Sequence, residues 1–320
     1  MLDIAGAKYI GVPLPSLRID TSPPFNLYFR PGPNQPLVLY CERHVHFTEK
    51  AHRVLTENRI DTLYVSQGQY EEYKRYLADH LQDALVDGRI SLGSKAEILH
   101  LAAVGAVDHV LDEPDQESVR EGRQIVRQAV DFITRRDVLL QDVLHAISGT
   151  YYLSAHSVNT MAYAVALAMR CGFRDGGSLR EMASGALLHD IGMGHLDPAI
   201  HDVQAKLSPD QWIQVKQHPV VGHDTLEKTG ALGEIALDII LHHHEKSNGA
   251  GYPHGLGGDE ISPLVRIVSI ADVFDALTTE RTHRPAYSTF NALILMRDEL
   301  RDSFDPDFLR AFIEMMGLRR

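Results

Sequence analysis

Cysteine is scarce in this chain. Cys41 and Cys171 lie far apart and form no CxxC pair, which argues against both a disulfide framework and a thiolate metal site. No run reaches the roughly 18 apolar residues that cross a bilayer, so no membrane span is expected. The amino-terminal Met1-Leu2-Asp3-Ile4 carries neither the basic segment nor the apolar core of a secretory signal, and a cytoplasmic location is the expectation. Positive charge is also in short supply. With 31 basic and 43 acidic residues the formal charge is −12, a balance that disfavours duplex nucleic acid and anionic lipid as partners. A phosphate ligand remains compatible with it where bound metal supplies positive charge locally.

What is present describes a well-filled protein with room for two domains. The 320 residues are 44% hydrophobic and 23% charged, ample for buried cores. Residues 1–85 read as a small mixed α/β domain. Tyr9-Ile10-Gly11-Val12-Pro13-Leu14, Phe25-Asn26-Leu27-Tyr28-Phe29, Leu37-Val38-Leu39-Tyr40 and Asp61-Thr62-Leu63-Tyr64-Val65 are short apolar or aromatic runs set off by proline and glycine, as strands joined by turns are. Thr48 is placed to cap a helix through Asn58. His44, His46 and His52 have no carboxylate at ligand spacing and read as surface or core histidines. With no chemistry visible, a regulatory or dimerising role is the expectation for this part.

From about Gln69 the pattern turns helical. One helix is expected from Tyr70 to Leu85, a second from Lys95 to Leu111, and a long third from Gln116 to about Ile147, residues 86–147 acting as linker helices. In the third, Ile125, Val126, Val130, Ile133, Leu140, Val143 and Leu144 follow a period of about 3.6 residues. The stripe is not a continuous heptad, so it reads as core packing rather than coiled coil. A homodimer or a signalling partner is expected to engage the N-terminal domain or this helix.

Histidine is the compositional anomaly, with 18 residues, and most lie in the segment 148–320. His156 falls early in a helix that Gly172 stops. His189 and Asp190 end the next helix, after the apolar Leu187-Leu188. A helix capped by Ser208, with Pro209 in its first turn, runs to His218-Pro219, where the proline is expected to end or kink it. Another, from Leu232 to about His243, ends in His242-His243-His244-Glu245. A glycine-rich loop follows, Ser247 to Gly258. The helix from Pro263 carries Val268, Asp272 and Asp275 on one face. Adjacent imidazole and carboxylate donors suit zinc, manganese or iron. Taken alone, a His-Asp pair more often describes a structural hydrogen bond, and Asp272 reads rather as a buried salt bridge with Arg266 or Arg281. The ordered series in one helical segment favours metal, because buried imidazoles and carboxylates cost free energy unless something pairs with them.

The series His156, His189-Asp190, His218, His243-His244-Glu245, Gly251-Tyr252-Pro253 and Ala271-Asp272-Val273-Phe274-Asp275-Ala276-Leu277-Thr278, then Phe304-Asp305-Pro306, resembles the HD-GYP family of cyclic di-GMP phosphodiesterases, metal-dependent hydrolases of the HD superfamily. The resemblance covers about 150–320. It implies a mainly α protein, an HD-type helical bundle following the small α/β domain. It also implies hydrolysis of cyclic di-GMP either to the linear dinucleotide or onward to GMP, in bacterial second-messenger signalling. By the same resemblance His156, His189, Asp190, His218, His243, His244 and Asp272 are metal ligands for two divalent ions, iron or manganese. Asp190 would bridge them, Tyr252 would lie over the substrate and Arg281 and Arg284 near its phosphate. Asp275 would act in catalysis by orienting a ligand. His242 reads as an extra beside the family's His pair, and His195, His201, His223 and His283 match no ligand position.

Two residues depart from the family pattern. Met193 stands three residues after the motif aspartate, where members often carry lysine, and loss of such a contact costs ~10²–10³ in rate unless replaced. Tyr152 stands four residues before the first histidine, where members with a third metal have glutamate, so two metals are expected. Met193 supports an alternative reading, a receptor that binds cyclic di-GMP with little hydrolysis and signals through its N-terminal domain. A different HD-type hydrolase of nucleotides is disfavoured by Gly251-Tyr252-Pro253, which marks the HD-GYP branch.

Overall fold

The computed structural model describes residues 2–4, 7–32, 35–135, 153–196, 208–280 and 285–317. The chain divides into two units, Met1–Gly105 and Ala106–Arg320, so the helices expected as a linker are shared between them.

In the first unit β1 (Leu2–Ile4), β2 (Ala7–Pro13), β3 (Leu27–Phe29), β4 (Val38–Cys41) and β5 (Thr62–Ser66) form an antiparallel sheet in the order β1-β2-β5-β3-β4. The four expected strands are β2 to β5; β1 was not expected. Strand alternation decides which face is buried. In β5, Leu63 and Val65 are fully buried while Thr62 is exposed. Against the sheet lie α1 (Glu49–Glu57), whose first turn is capped by the Thr48 hydroxyl accepting from Ala51 N, and α2 (Tyr70–Val86). Phe25, Phe47, Leu55 and Tyr73 fill the core between them, and the Tyr73 hydroxyl donates to Ser16 Oγ at 2.8 Å. A third helix, α3 (Leu92–Asp112), follows.

The second unit is a bundle. Its first complete helix, α4 (Gln116–Ile133), opens on a capping box between Asp115 and Ser118 and buries Ile125, Val126, Val130 and Ile133. These are the stripe residues read as core. The helix ends at Ile133 with Thr134 as its cap, rather than running on to Ile147; residues 136–147 lie outside the described residues.

The central helix α5 (Leu153–Arg170) is buried nearly all round, so polar residues on it must find partners inside the bundle. It stops where Gly172 takes φ +92, with Gly172 N–H donating to Met169 O and Phe173 N–H to Ala168 O, a Schellman ending. Around it stand α6 (Gly176–Leu188), α10 (Pro263–Thr278) and α12 (Pro306–Met315), and Tyr163, Phe274 and Phe312 meet edge to face where α5, α10 and α12 join.

Three more helices complete the site's surroundings: α7 (Pro209–Val215), α8 (His218–Glu227) and α9 (Glu234–His242). Pro219 corrects the expectation that it ends a helix. It lies in the first turn of α8, where a missing N–H costs nothing and the fixed φ suits a helix start. The last, α11 (Thr289–Asp298), packs on α10.

Candidate metal centre

The HD turn depends on a glycine. A Cβ on Gly192 would collide with the backbone carbonyl of His218 and crowd Gly222 N. Only a bare Cα lets the start of α8 come this close to the segment after α6, and this approach brings His218 to Asp190. His189 is the C-terminal cap of α6, His243 that of α9, and His156 stands in the first turn of α5. Four helix ends therefore converge on Asp272 in the middle of α10.

Three of the histidines are held alike. His189 Nδ1 donates to Ala186 O at 2.8 Å, His218 Nδ1 to Val215 O at 2.7 Å and His243 Nδ1 to Ile240 O at 3.0 Å. Each carbonyl accepts from a ring three residues later, which fixes the tautomer and leaves Nε2 as a lone-pair donor aimed inward. His156 differs. Its Nδ1 lies 2.7 Å from Asp275 Oδ2, and its Nε2 lies 3.1 Å from Asp272 Oδ1.

Two groups of donors result, Asp190 with His218, His243 and His244, and His156 with His189 and Asp272, the atoms of each lying within 4.8 Å of one another. Asp190 faces both: its Oδ1 is 3.1 Å from His218 Nε2 and its Oδ2 is 3.5 Å from His189 Nε2. All seven residues expected as ligands from the sequence fall in these groups.

A divalent cation fits this donor set on two observations. His189 Nε2 is buried with no hydrogen-bond partner, a state that costs ~1–3 kcal/mol when uncompensated. Further, His218 Nε2 and His243 Nε2 face each other at 3.2 Å. With both Nδ1 atoms donating to carbonyls, these two nitrogens have no donor of their own except a proton held by one of them, and a cation in that place would satisfy both.

The electrostatics point the same way. Burial opposes ionisation of Asp190, but His189 and His218 more than reverse it and hold its carboxyl well below the usual range. Burial is outweighed at Asp272 too, by the His156 hydrogen bond and the charges of His244 and His189. Burial and the neighbouring His244, His189 and His218 hold His243 well below the ordinary histidine value, while burial, partly opposed by Asp272, pushes His244 down to about 4. At His218 burial is outweighed by the hydrogen bond and charge of Asp190 and by the Val215 carbonyl, which raise it. Ionised carboxylates and deprotonated ring nitrogens are the forms that bind metal, so a metal at His218 Nε2 must displace a proton. At His156 burial disfavours the imidazolium, yet Asp272 and Asp275 outweigh it and push it up to about 10; a metal at Nε2 must displace that proton.

Asp275 is 1% exposed and, besides His156, accepts from Asn159 Nδ2 at 2.9 Å and Thr279 Oγ1 at 3.2 Å. Asn159 and Thr279 were missed in the sequence. The available signal was Asn159 lying three residues after His156 on one helix face. The salt bridge weighed for Asp272 is absent on the Arg266 side, because Arg266 Nη1 pairs with Asp305 Oδ2 at 2.8 Å. Arg281, Arg284, His201, His283 and Tyr152 lie outside the described residues. His195 is exposed and the cluster of His223, Asp224 and Glu227 is largely exposed.

The glycine-rich loop is fastened by Glu245, 2% exposed. Its Oε1 accepts from His254 N at 2.6 Å and Gly255 N at 3.0 Å, and its Oε2 from Leu256 N at 3.0 Å. Gly251 packs so closely on Glu245 and Lys246 N that a Cβ would not fit. So held, the Tyr252 ring lies 4.7 Å from the His244 ring at 32°. Burial, with Asp190 and Asp272 nearby, raises the Tyr252 phenol, which stays a protonated donor. Among sequence readings His242 was an extra; its Nε2 lies 3.0 Å from His254 Nδ1, tying α9 to the loop.

A buried double cluster of histidine and aspartate in a helical bundle defines an HD-type metal centre. Residues 134–308 match the HD domain family, and the chain belongs to it. Cyclic di-GMP phosphodiesterase PA4108 of Pseudomonas aeruginosa is 34% identical over 167 residues, 52% of this chain and 40% of the relative. The 3'3'-cGAMP-specific phosphodiesterase 3 of Vibrio cholerae is 35% identical over 167 residues, 52% of this chain and 36% of the relative. The chain thus matches less than half the length of either. Bd1817, an HDG"Y"P protein from Bdellovibrio bacteriovorus, shares the fold, with a TM-score of 0.68 at 23% identity over 97% of this chain and 99% of its own. No described helix is long and apolar enough to cross a membrane.

Proposed function

We propose that this protein is a metal-dependent phosphodiesterase that opens cyclic di-GMP to the linear dinucleotide and then to GMP. The observation that carries the reading is the pair of adjoining donor groups, with His189 Nε2 buried without a hydrogen-bond partner and within 3.9 Å of the carboxylates of both Asp190 and Asp272. One ion, iron or manganese, would be held by His156, His189 and Asp272, and a second by His218, His243 and His244, with Asp190 placed to serve both. When bound, such ions supply a nucleophile effective near neutral pH and offset charge on the phosphoryl oxygens.

The chain's own residues do the positioning. Asp275 orients His156, and Glu245 sets the loop so that the Tyr252 ring lies against His244. Arg281 and Arg284, outside the described residues, are assigned to the substrate phosphate by the resemblance alone. The cyclic dinucleotide class is supported by the names of the relatives, which include enzymes for cyclic di-GMP and for 3'3'-cGAMP.

The test is anaerobic incubation of iron- or manganese-loaded protein with each of these two dinucleotides, products being separated by chromatography. Turnover of cyclic di-GMP that is lost in the His189→Ala/Asp190→Ala variant supports the reading. Saturable binding without turnover replaces it with the receptor reading that Met193 raises, and preference for 3'3'-cGAMP changes the substrate.

A further inference from the structure

Trp212 is the only tryptophan in the chain, and it is half-exposed. Its neighbour Ile213 is 62% exposed, although both belong to a helix whose other features are firmly fixed. Ser208 and Gln211 close a capping box at the start of α7. At its end Val215 is buried, and the Val215 carbonyl accepts from His218 Nδ1 at 2.7 Å. The helix that presents the indole is therefore tied directly to a histidine of the metal centre, and a shift of one moves the other.

The next residue, Lys216, continues the connection. Its ammonium lies 5.6 Å from the centroid of the Tyr252 ring, within the range of a cation–π contact. Tyr252 in turn leans on His244. A series from Lys216 through Tyr252 to His244 thus leads from α7 into the cluster. Trp212 and Lys216 are four residues apart, joined by the Lys216 N–H donating to Trp212 O at 3.0 Å, so their side chains share one face of the helix. That face carries an aromatic plane and a cation side by side, next to the residue that lies over the metal centre.

We infer that α7 forms an outer subsite for the cyclic dinucleotide, in which the Trp212 indole stacks on a purine and the Lys216 ammonium meets a phosphate. This rests on the phosphodiesterase reading for the ligand's class. A cyclic purine dinucleotide offers two flat bases and two negatively charged phosphodiesters, so while one phosphate sits at the metals, a base and the other phosphate extend beyond them. Aromatic stacking is tolerant of which purine is present. The cation also answers the protein's charge of −12, which repels a dianion approaching the site.

The single tryptophan makes the test direct. The full-length metal-loaded protein is titrated with cyclic di-GMP while tryptophan emission is followed, with free tryptophan titrated in parallel to correct for absorption by the dinucleotide. Binding is measured separately by equilibrium dialysis. Saturable quenching that matches the dialysis isotherm is expected. Trp212→Ala should weaken binding by roughly 5–100-fold, Trp212→Phe should restore most of it, and KM should rise more than kcat falls. Lys216→Ala should weaken binding by roughly 3–10-fold, less so as salt is added.

Saturable binding with unchanged tryptophan emission, or wild-type affinity in Trp212→Ala, overturns the subsite and leaves the phosphodiesterase reading standing. Quenching with no turnover keeps the subsite and overturns hydrolysis. Absence of binding overturns both.

Discussion

His156 and Asp275 meet across α5 and α10, with Nδ1 2.7 Å from Oδ2 and both side chains buried. The contact fixes which nitrogen of His156 faces Asp272, and Asn159 and Thr279 hold the carboxylate in turn. Partners of this kind raise the basicity of a ligating imidazole and lock its orientation.

Asp275→Asn keeps the shape and removes the charge. Metal affinity is expected to fall by roughly 10–100-fold, with little change in far-ultraviolet circular dichroism. Competition with a chromophoric chelator measures it, and unchanged affinity would show that Asp275 does not support His156.

Glu245→Gln replaces an ionised acceptor of three loop N–H groups by a neutral amide that accepts through one oxygen. Hydrogen bonds to a charged group contribute about 1.5–3 kcal/mol each. Amide exchange at His254, Gly255 and Leu256 should therefore accelerate while exchange in α5 and α10 is unaffected. Uniform protection across the loop would place its anchor elsewhere.

Gly192→Ala inserts a methyl where the His218 carbonyl already stands. Overpacking of this kind costs about 1–3 kcal/mol, and the displaced α8 carries His218 with it. Chemical denaturation and metal content should fall together. Normal metal content in a destabilised protein would separate the turn from the centre.

Acid should act on the first unit through Asp87. Its carboxyl is held well below the usual range by hydrogen bonds from Arg89, side chain first and then backbone, with Arg18 adding to them against the effect of burial. A depressed folded pKa contributes stability that is present above the unfolded value near ~4 and is lost as pH falls through the folded value. The difference in urea midpoint between the wild type and Asp87→Asn should be full at neutral pH and vanish in strong acid. A difference independent of pH would assign the effect to packing.

The order of His156, His189-Asp190, His218, His243-His244 and Asp272 was legible because each of these residues ends or interrupts an apolar helix, where a polar residue needs a reason. Glu245 was legible only as a neighbour of the His pair, since its partners are backbone amides nine to eleven positions away that no side-chain pattern records. Lys216 and Tyr252 are distant in sequence and meet through the folding of the loop. Pro219 was misread because proline stops one helix and starts another with equal ease; the short gap between α7 and α8 left both readings open. Strand β1 was missed because Leu2-Asp3-Ile4 is too brief to show alternation.

Metal content of the purified protein and of the His189→Ala/Asp190→Ala variant, measured by inductively coupled plasma mass spectrometry after anaerobic loading, tests the metal centre most directly. Two equivalents of iron or manganese in the wild type, falling to little in the variant with helix content retained, is the expected result. Full retention of metal by the folded variant would contradict it.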